Sequence, residues 1–186
     1  MKGVLFQVPM FYYQISKWKS KKRKLLNLLK EYPVSYKKNQ SFLTNRQSPR
    51  QNLITKFGEL FKPELEQFSR DIERDIALHE VWSIQYRKHD YQMPHNHGTQ
   101  GYSGLIYVNY NSKNHVSNTY IQPWNHIESN DTIYNRPPVK EGTLVITPSF
   151  ITHFVVPNQS KEIREVVGFD MKTGKLDTGS STWEGF

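Results

Sequence analysis

The chain has 186 residues and no cysteine, so it can form one domain with a real core, while disulfides, thiolate metal sites and a cysteine nucleophile are excluded. No apolar run reaches the roughly 18 residues of a membrane-spanning helix, so we expect no membrane partner, and the lack of cysteine fits a cytoplasmic protein. Lysine and arginine outnumber aspartate and glutamate by 25 to 17, which gives a net charge of +8.

The first predicted elements lie around a basic segment. Residues Val4 to Ile15 alternate weakly and predict one or two strands. Ser16 is a suitable N-cap for a helix that continues to Tyr32 and ends at Pro33. Within it, six of the eight residues from Lys17 to Lys24 are basic. Such a run can bind nucleic acid, but no nucleic-acid motif or aromatic platform accompanies it, so we favour a solvated helix face and expect nucleic acid to be an unlikely partner.

The middle of the chain predicts a loop and a second helix. Residues 34 to 56 are rich in Asn, Gln and Ser and predict an irregular segment. A helix is predicted from Pro63 to His79, because apolar residues recur at steps of three and four along one face. These apolar residues are Phe61, Leu65, Phe68, Ile72 and Ile76.

From Val81 onwards, short runs rich in Val, Ile, Tyr and Thr alternate with turn residues, which is typical of an antiparallel sheet, sandwich or barrel. We therefore predict a mainly β (α+β) fold, a double-stranded β-helix (jelly roll, cupin-like) with N-terminal supporting helices. The chain is expected to form a single domain over 1–186, with a helical part at about 16–79 and a β-barrel core at about 81–172. The tail after Lys172 is expected to fray or to pack as an edge.

Three histidines are candidates for one metal site. His95 and His97 stand two apart, so their side chains point the same way if the segment is extended. His153 begins a later strand, directly after a turn closed by Pro148. His95 is predicted to lie at the same kind of position, next to a turn. Alone, a histidine flanked by apolar residues is as readily a core residue as a ligand.

Arg164 lies within the otherwise apolar strand EIREVVGFDM. Because a guanidinium stays charged, a buried arginine needs an acidic partner or an anionic ligand. Glu162 and Glu165 are close enough in sequence to be such partners, and the alternative is a bound anion.

The sequence resembles the Fe(II)/2-oxoglutarate-dependent dioxygenases, most closely the prolyl-hydroxylase-like branch and its phage-encoded oxygenases. The resemblance lies in the order of the residues: a His-x-His motif, a long gap, a third histidine, and an arginine eleven residues after it. The resemblance extends from about Trp82 to Met171, and its segments come in the family's order. The family's Tyr-Leu-Asn is represented here by Tyr107-Val108-Asn109. The segments are IQYRKHDYQMPHNH, SGLIYVNY, EGTLVITPSFITHFVVPN and REVVGFDM.

The resemblance implies a metal centre that uses Fe(II), 2-oxoglutarate and O2, with no catalytic residue beyond it. The implied iron ligands are His95, His97 and His153. The residues implied to bind 2-oxoglutarate are Arg164, Tyr107 and Tyr86. Possible substrate or pocket residues are Tyr91, Asn109 and Trp124. The implied reaction is hydroxylation of a C–H bond in a peptide, protein or small molecule, with release of succinate and CO2. The aromatic loop 115–138, with Tyr134 and Arg136, is expected to shape substrate entry.

One departure from the family leaves alternatives open. The usual motif is His-x-Asp, whereas the second position here is His97. A carboxylate from Asp90, Glu128 or Asp131 could serve instead, and three histidines could equally hold Zn(II) in a non-catalytic cupin-like binding module. The letters HNH also name a nuclease class, which the β-rich context does not fit.

Overall fold

The computed structural model describes residues 8–46, 50–125 and 131–174, without the side chains of Trp124 and Asn125. Within these residues there are three helices, α1 (Trp18–Leu29), α2 (Gln51–Leu60) and α3 (Lys62–Asp71). The strands are β1 (Phe11–Gln14), β2 (Ser35–Tyr36), β3 (Leu43–Thr44), β4 (Ile76–Tyr86), β5 (Gln92–His95), β6 (Tyr102–Asn109), β7 (Thr119–Asn125), β8 (Thr132–Asn135), β9 (Thr143–Pro148), β10 (His153–Val155) and β11 (Arg164–Thr173). None of the helices in the described part is long and apolar enough to cross a bilayer.

The strands form two antiparallel sheets. The larger sheet has seven strands in the order β1-β9-β6-β11-β4-β3-β2, and the smaller has four in the order β5-β10-β7-β8. Strand β11 lies at the centre of the larger sheet and pairs along most of its length with both β4 and β6. This central strand therefore belongs to the most constrained part of the fold.

The two faces of the larger sheet are buried against different partners. One face packs on the helices, where Val167 and Phe169 of β11 join Leu25, Phe57 and Phe68 in one apolar core. The alternation of side chains along a strand turns the neighbouring residues to the other face.

The second core lies between the sheets. Val166 of β11 joins Trp82 and Tyr107 from the larger sheet and Tyr120 and Val155 from the smaller one. The helices thus support one sheet from behind, and the opposite face of that sheet meets the smaller sheet, as the sequence predicted.

Helix α1 begins one residue later than predicted and ends three residues earlier. The N-cap is Lys17, in a left-handed conformation with φ of 49°. The Ser16 hydroxyl instead donates to Glu64, 3.3 Å away. Lys21 of the basic run also forms an ion pair with this glutamate, at 2.6 Å. Since α1 buries Leu25, Leu28 and Leu29, the basic residues lie on a helix face. That nucleic acid is an unlikely partner stays a prediction.

Two predictions in the middle of the chain are wrong. The segment 34–56 was expected to be irregular, but it contains β2, β3 and the start of α2, whose Leu53, Ile54 and Phe57 are buried. The helix predicted to reach His79 ends at Asp71, because the chain turns at Glu73, where φ is 53°. Ile76 and the following residues belong to β4, since they pair with the end of β11.

Residues 1–7 and the tail from residue 175 lie outside the described residues. The first of these ranges includes the start of the strand segment predicted from Val4 to Ile15. Of the first segment, residues 11–14 form β1, which pairs with β9 at one edge of the larger sheet. The N-terminal part therefore contributes strands to the sheet in addition to the supporting helices.

Candidate metal centre

Strand pairing in the smaller sheet brings the three candidate histidines together. His95 ends β5 and lies opposite His153, the first residue of β10. His97 follows β5, and its backbone N–H donates to the Ser149 carbonyl at 2.8 Å. One ligand nitrogen from each of His95, His97 and His153 lies within 4.8 Å of the other two. Within the described residues, this is the one group of three or more potential ligand side chains.

In each of the three imidazoles Nδ1 is the nitrogen that donates a hydrogen bond, and Nε2 of His95 accepts one from the Gln92 amide at 3.1 Å. Nδ1 of His95 donates to the Met93 carbonyl at 2.8 Å, and Nδ1 of His153 donates to the Ile151 carbonyl at 3.1 Å. Nδ1 of His97 donates to a carboxylate oxygen of Asp170 at 2.8 Å. A proton on Nδ1 leaves Nε2 unprotonated, which is the form that binds a metal. The three side chains therefore suit a divalent transition metal.

Aromatic packing fixes the plane of the His97 ring. The indole of Trp82 stacks on one side, with ring centres 5.5 Å apart and planes inclined by 22°. The ring of His153 stacks at 5.2 Å and 21°. On the far side of the cluster, the buried Tyr120 lies 5.4 Å from His153. These contacts leave His97 and His153 little freedom to turn away from each other.

Asp170, for which the sequence predicted no functional role, bonds directly to the cluster through its carboxylate. Its Oδ1 accepts hydrogen bonds from His97 and from the Ser103 hydroxyl, both at 2.8 Å. Its Oδ2 accepts from Arg46 at 3.1 Å. The position of Asp170 on β11, an even number of residues after Arg164, was the signal that both side chains face the same side of the sheet.

Burial and these contacts shift the pKa values of the cluster. Burial, together with the neighbouring His95 and His97, lowers the pKa of His153 to about 3, and burial also lowers the pKa of His95. Burial alone would raise the pKa of Asp170, but the hydrogen bonds from His97 and Ser103 outweigh it and lower the pKa. At neutral pH His95 and His153 are therefore neutral, and the carboxylate of Asp170 is ionised.

Arg164 is buried to 1% exposure, and no acidic side chain among the described residues forms an ion pair with it. Its Nη2 donates to the Asn118 side-chain oxygen, whereas Nε and Nη1 have no hydrogen-bond partner. Glu165 accepts hydrogen bonds from Gln85 and Asn109 instead. The other candidate partner, Glu162, is bonded to Asn111 and Asn114. A guanidinium with two unsatisfied donors is a site for an anion.

Two tyrosine rings enclose the guanidinium. The centre of the Tyr86 ring lies 4.9 Å from the Arg164 carbon Cζ, and that of Tyr107 lies 5.6 Å away. Burial raises the pKa of Tyr86 and raises that of Tyr107 to about 12, although the arginine charge works against both shifts. Both hydroxyls therefore keep their protons, and that of Tyr107 can donate to a bound anion.

A chain of hydrogen bonds connects this arginine pocket with the histidines. The Tyr86 hydroxyl donates to the Gln92 side-chain oxygen at 2.6 Å, and the amide nitrogen of Gln92 lies 3.1 Å from Nε2 of His95. On the other side, Asn118 contacts Arg164 and also lines the cavity that holds the three histidines. Gln92 and Asn118 are further site residues that the sequence did not single out.

The cavity lies between the two sheets. It is lined by polar side chains near the histidines and by apolar side chains opposite them. The lining includes Phe42, Ile84, Leu105, Gln92, Asn118 and Tyr120. This mixture suits a small polar ligand held beside a metal, with apolar walls that keep water away.

The remaining predicted pocket residues lie outside this cavity or beyond the description. Tyr91 is 37% exposed and lines a shallow groove at the rim, next to His95. Asn109 lies at the end of β6 and is bonded to Glu165. Trp124 is in β7, but its side chain lies outside the described residues.

The carboxylates considered as alternatives to His97 are not part of the group of three. Asp90 is bonded to the Tyr36 hydroxyl and to the Arg87 backbone, and Glu128 lies outside the described residues. In the aromatic loop, Tyr134 is 59% exposed, and Arg136 donates to Thr119.

Comparison with known proteins gives a family and a fold. Residues 80–170 match the family described as "Putative 2OG-Fe(II) oxygenase". No curated protein matches the chain.

Among solved structures, HygX from Streptomyces hygroscopicus with nickel and 2-oxoglutarate bound is similar with a TM-score of 0.69 and 12% identity, over 96% of this chain and 90% of that one. An oxidoreductase of the 2OG-Fe(II) oxygenase family from Burkholderia pseudomallei gives 0.65 and 10%, over 88% and 84%. A prolyl-4-hydroxylase from Pseudomonas putida gives 0.59 and 11%, over 89% and 93%. At these identities the likeness concerns the fold, and it confirms the predicted double-stranded β-helix.

Proposed function

Over residues 80–170 this chain is a member of the 2OG-Fe(II) oxygenase family, and on that basis we propose that it hydroxylates a C–H bond of a peptide, protein or small-molecule substrate. The reaction would consume O2 and 2-oxoglutarate and release succinate and CO2. Bound Fe(II) and 2-oxoglutarate supply the activation of O2 that this oxidation needs. The protein contributes the ligands, the orientation of both groups and a shielded cavity.

The iron ligands in this proposal are Nε2 of His95, His97 and His153. Their support is the hydrogen-bonding pattern that the three rings share, since each has Nδ1 bonded to an acceptor. Three protein ligands on one side leave the remaining coordination positions of the metal open towards the cavity.

The single observation that carries the proposal is the state of Arg164. Its guanidinium is fully buried, keeps two donors without partners, and has no carboxylate to neutralise it. A zinc site in a non-catalytic module gives no reason for such an arginine. The C5 carboxylate of 2-oxoglutarate does, because its two oxygens match the planar fork of Nε and Nη groups.

The two tyrosines assist Arg164 in this proposal. Tyr86 and Tyr107 lie against the guanidinium. The Tyr107 hydroxyl can donate to the same carboxylate, whereas the Tyr86 hydroxyl donates to Gln92 and encloses the guanidinium with its ring. The Tyr107 hydroxyl at present accepts from the Asn118 backbone N–H at 3.2 Å, which leaves its own proton free. Asn118 would release Nη2 or share it with the ligand.

The substrate would enter beside the metal from the open side of the cavity. Phe42, Ile84 and Leu105 line the cavity, and exclude water from the reacting groups. Tyr91 at the rim and Trp124 in β7 are proposed to contact the substrate, and Asn109 is proposed to support the end of β6.

The experiment is an anaerobic titration with Fe(II) and 2-oxoglutarate, followed by admission of O2. We expect a visible charge-transfer band on formation of the ternary complex, and slow conversion of 2-oxoglutarate to succinate even without the substrate. His153→Ala should abolish both signals, because it removes a ligand. His79→Ala serves as the matched control, since His79 is exposed on β4.

Absence of the band together with absence of succinate in the folded wild-type protein would contradict the proposal. Tight metal binding with no effect of 2-oxoglutarate would instead favour the non-catalytic binding module.

A further inference from the structure

The metal centre proposed above lacks the negative charge that a carboxylate ligand usually provides. Its three ligands are neutral imidazoles, so a bound Fe(II) would keep its full double charge among them. Charge inside a protein is costly unless it is balanced nearby. The question is therefore whether a carboxylate outside the ligand set serves this purpose.

Asp170 is placed for this role on the far side of the His97 ring. It bonds to Nδ1 of His97 at 2.8 Å, while Nε2 of the same ring is directed to the other two histidines. An imidazole bonded to a carboxylate through one nitrogen becomes a stronger donor to a metal through the other. The Ser103 hydroxyl fixes the same carboxylate oxygen at 2.8 Å, so the geometry does not depend on His97 alone.

The charges around Asp170 leave one negative charge uncompensated. Arg46 bonds to Asp170 at 3.1 Å, but it also donates to Glu80 through Nε at 3.1 Å and through Nη2 at 2.8 Å. The guanidinium of Arg46 further lies 4.1 Å above the Trp82 ring, which stacks on His97. Two carboxylates and one guanidinium sum to −1, which is the charge that a ligand aspartate would contribute.

We propose that Asp170 is a positioning residue that supplies the missing charge through the His97 imidazole, so that the His97–Asp170 pair takes the place of a carboxylate ligand. The inference rests on the proposed metal site. Arg46 and Glu80 determine how much negative charge remains on Asp170. The guanidinium of Arg46 bonds to both carboxylates, so the more strongly it pairs with Glu80, the less it neutralises Asp170.

A purely structural role for this cluster makes a different prediction. If Asp170 and Arg46 formed only an ion pair that closes the sheet, removal of either partner would loosen the site and weaken metal binding. If Asp170 supplies charge, removal of Arg46 makes the surroundings of His97 more negative and strengthens metal binding. The two roles therefore differ in the sign of the Arg46 effect.

The test uses Co(II) alone as the probe, with calorimetric titration and the visible absorption spectrum of the full-length protein. Asp170→Asn keeps the acceptor for His97 but removes the charge, and we expect Co(II) affinity to fall by about 10- to 100-fold. Arg46→Met keeps an apolar contact for Trp82 but removes the cation, and we expect affinity to rise about threefold or more. Both variants should alter the Co(II) spectrum.

A rescue variant and a control complete the design. His97→Asp combined with Asp170→Asn moves the carboxylate into the ligand position, and it should regain Co(II) affinity to within about threefold of wild type, since the net charge is restored. Asp71→Asn is the matched control, because Asp71 also accepts from two side chains, Tyr13 and Gln67, on a helix away from the site.

The outcomes separate this inference from the function on which it rests. Wild-type affinity in Asp170→Asn, or weaker binding in Arg46→Met, overturns the role of Asp170 and leaves the oxygenase proposal intact. If the wild-type protein binds no Co(II) and no Fe(II), the proposed metal site itself fails. Should Asp170→Asn not fold, the sign of the Arg46→Met effect still decides the inference.

Discussion

Replacement of Arg164 by methionine should separate the contribution of this residue to ligand binding from its contribution to stability. We expect the variant to lose 2-oxoglutarate binding without a large loss of stability in the ligand-free protein. Most substitutions of a fully buried residue cost stability. Arg164 differs because its burial leaves Nε and Nη1 without partners. Methionine fills a similar volume with an apolar chain.

The expected free energies follow from the contacts of Arg164. Two unsatisfied buried donors cost about 1–3 kcal/mol each, and the substitution removes this cost. It also loses the hydrogen bond to Asn118, about 1 kcal/mol, and the contacts with the Tyr86 and Tyr107 rings, about 1–2 kcal/mol together. The unfolding free energy of the ligand-free protein should therefore lie between about 1 kcal/mol lower and about 4 kcal/mol higher than that of wild type.

The effect of the substitution on the free energy of 2-oxoglutarate binding is unfavourable. Two charge-assisted hydrogen bonds to the distal carboxylate contribute about 1.5–3 kcal/mol each. Since every 1.4 kcal/mol is about a factor of ten in affinity, Arg164→Met should weaken 2-oxoglutarate binding at least 100-fold. Wild-type protein at about 100 times its Kd should gain about 2.7 kcal/mol from the ligand, and the variant should gain almost nothing.

The assay is urea unfolding of both proteins in the presence of a chelator, together with calorimetric titration of 2-oxoglutarate into the metal-loaded protein without O2. Arg70→Met is the control, because Arg70 is exposed on α3 and bonds only to Gln67 among the contacts described. A variant that unfolds several kcal/mol more easily, yet binds 2-oxoglutarate like wild type, would refute the reasoning and make Arg164 a structural residue.

Two further predictions concern pH and packing. His153 has a pKa of about 3 in the folded protein, against an ordinary value of 6.5. Between these two pH values the unfolded chain binds a proton at this residue and the folded protein does not. The stability of the metal-free protein should therefore fall as the pH drops from 6.5 towards 3, by up to about 1.4 kcal/mol per pH unit. Urea unfolding at several pH values should show a shallower slope for His153→Gln, and identical slopes would contradict the assignment. Gly168→Ala would bring a Cβ within 2.7 Å of the Trp82 indole, so thermal and urea unfolding should report a loss of about 1–3 kcal/mol, with weaker Co(II) binding as Trp82 leaves His97. Gly174→Ala, where a Cβ meets nothing within 4 Å, is the control, and equal stability of the two variants would refute the packing argument.

The strand-rich half of the chain was readable from sequence because its strands carry a local signal. Runs of β-branched and aromatic residues between turns predicted β6, β9 and β11 near their observed bounds, and they predicted β4 from Val81 onwards. Ile76 was misassigned because it stands four residues after Ile72, which continues the helical spacing by coincidence. The break is made by a single left-handed residue, Glu73, for which the pattern of apolar residues contains no signal.

Helix α2 was missed for a related reason. Its buried residues Leu53, Ile54 and Phe57 are few, and polar residues surround them. It also starts at Arg50 without a side-chain cap. Such a helix is stabilised by tertiary packing against β4 and α1 rather than by its own sequence.

The candidate site, like the fold, was predictable from sequence only in part. His95, His97, His153 and Arg164 could be proposed because their residue types and order carry a family resemblance. The contacts of Asp170 could not, because they depend on Arg46 and Ser103, which the fold brings from 124 and 67 positions away. The lack of partners on Arg164 likewise became visible only when Glu162 and Glu165 were found bonded elsewhere.

Strand β11 links the formation of the core to the formation of the site. Val167 and Phe169 reach the helices from one side of the strand, and the residues on its other side include Arg164 and Asp170. A slip of one position in pairing would exchange the two sides completely, leaving charges against the helices and apolar groups beside the three histidines. The register that buries the apolar residues is therefore the same register that places Arg164 and Asp170 on the side of the histidines, and the chain cannot reach its stable packing without also assembling this cluster.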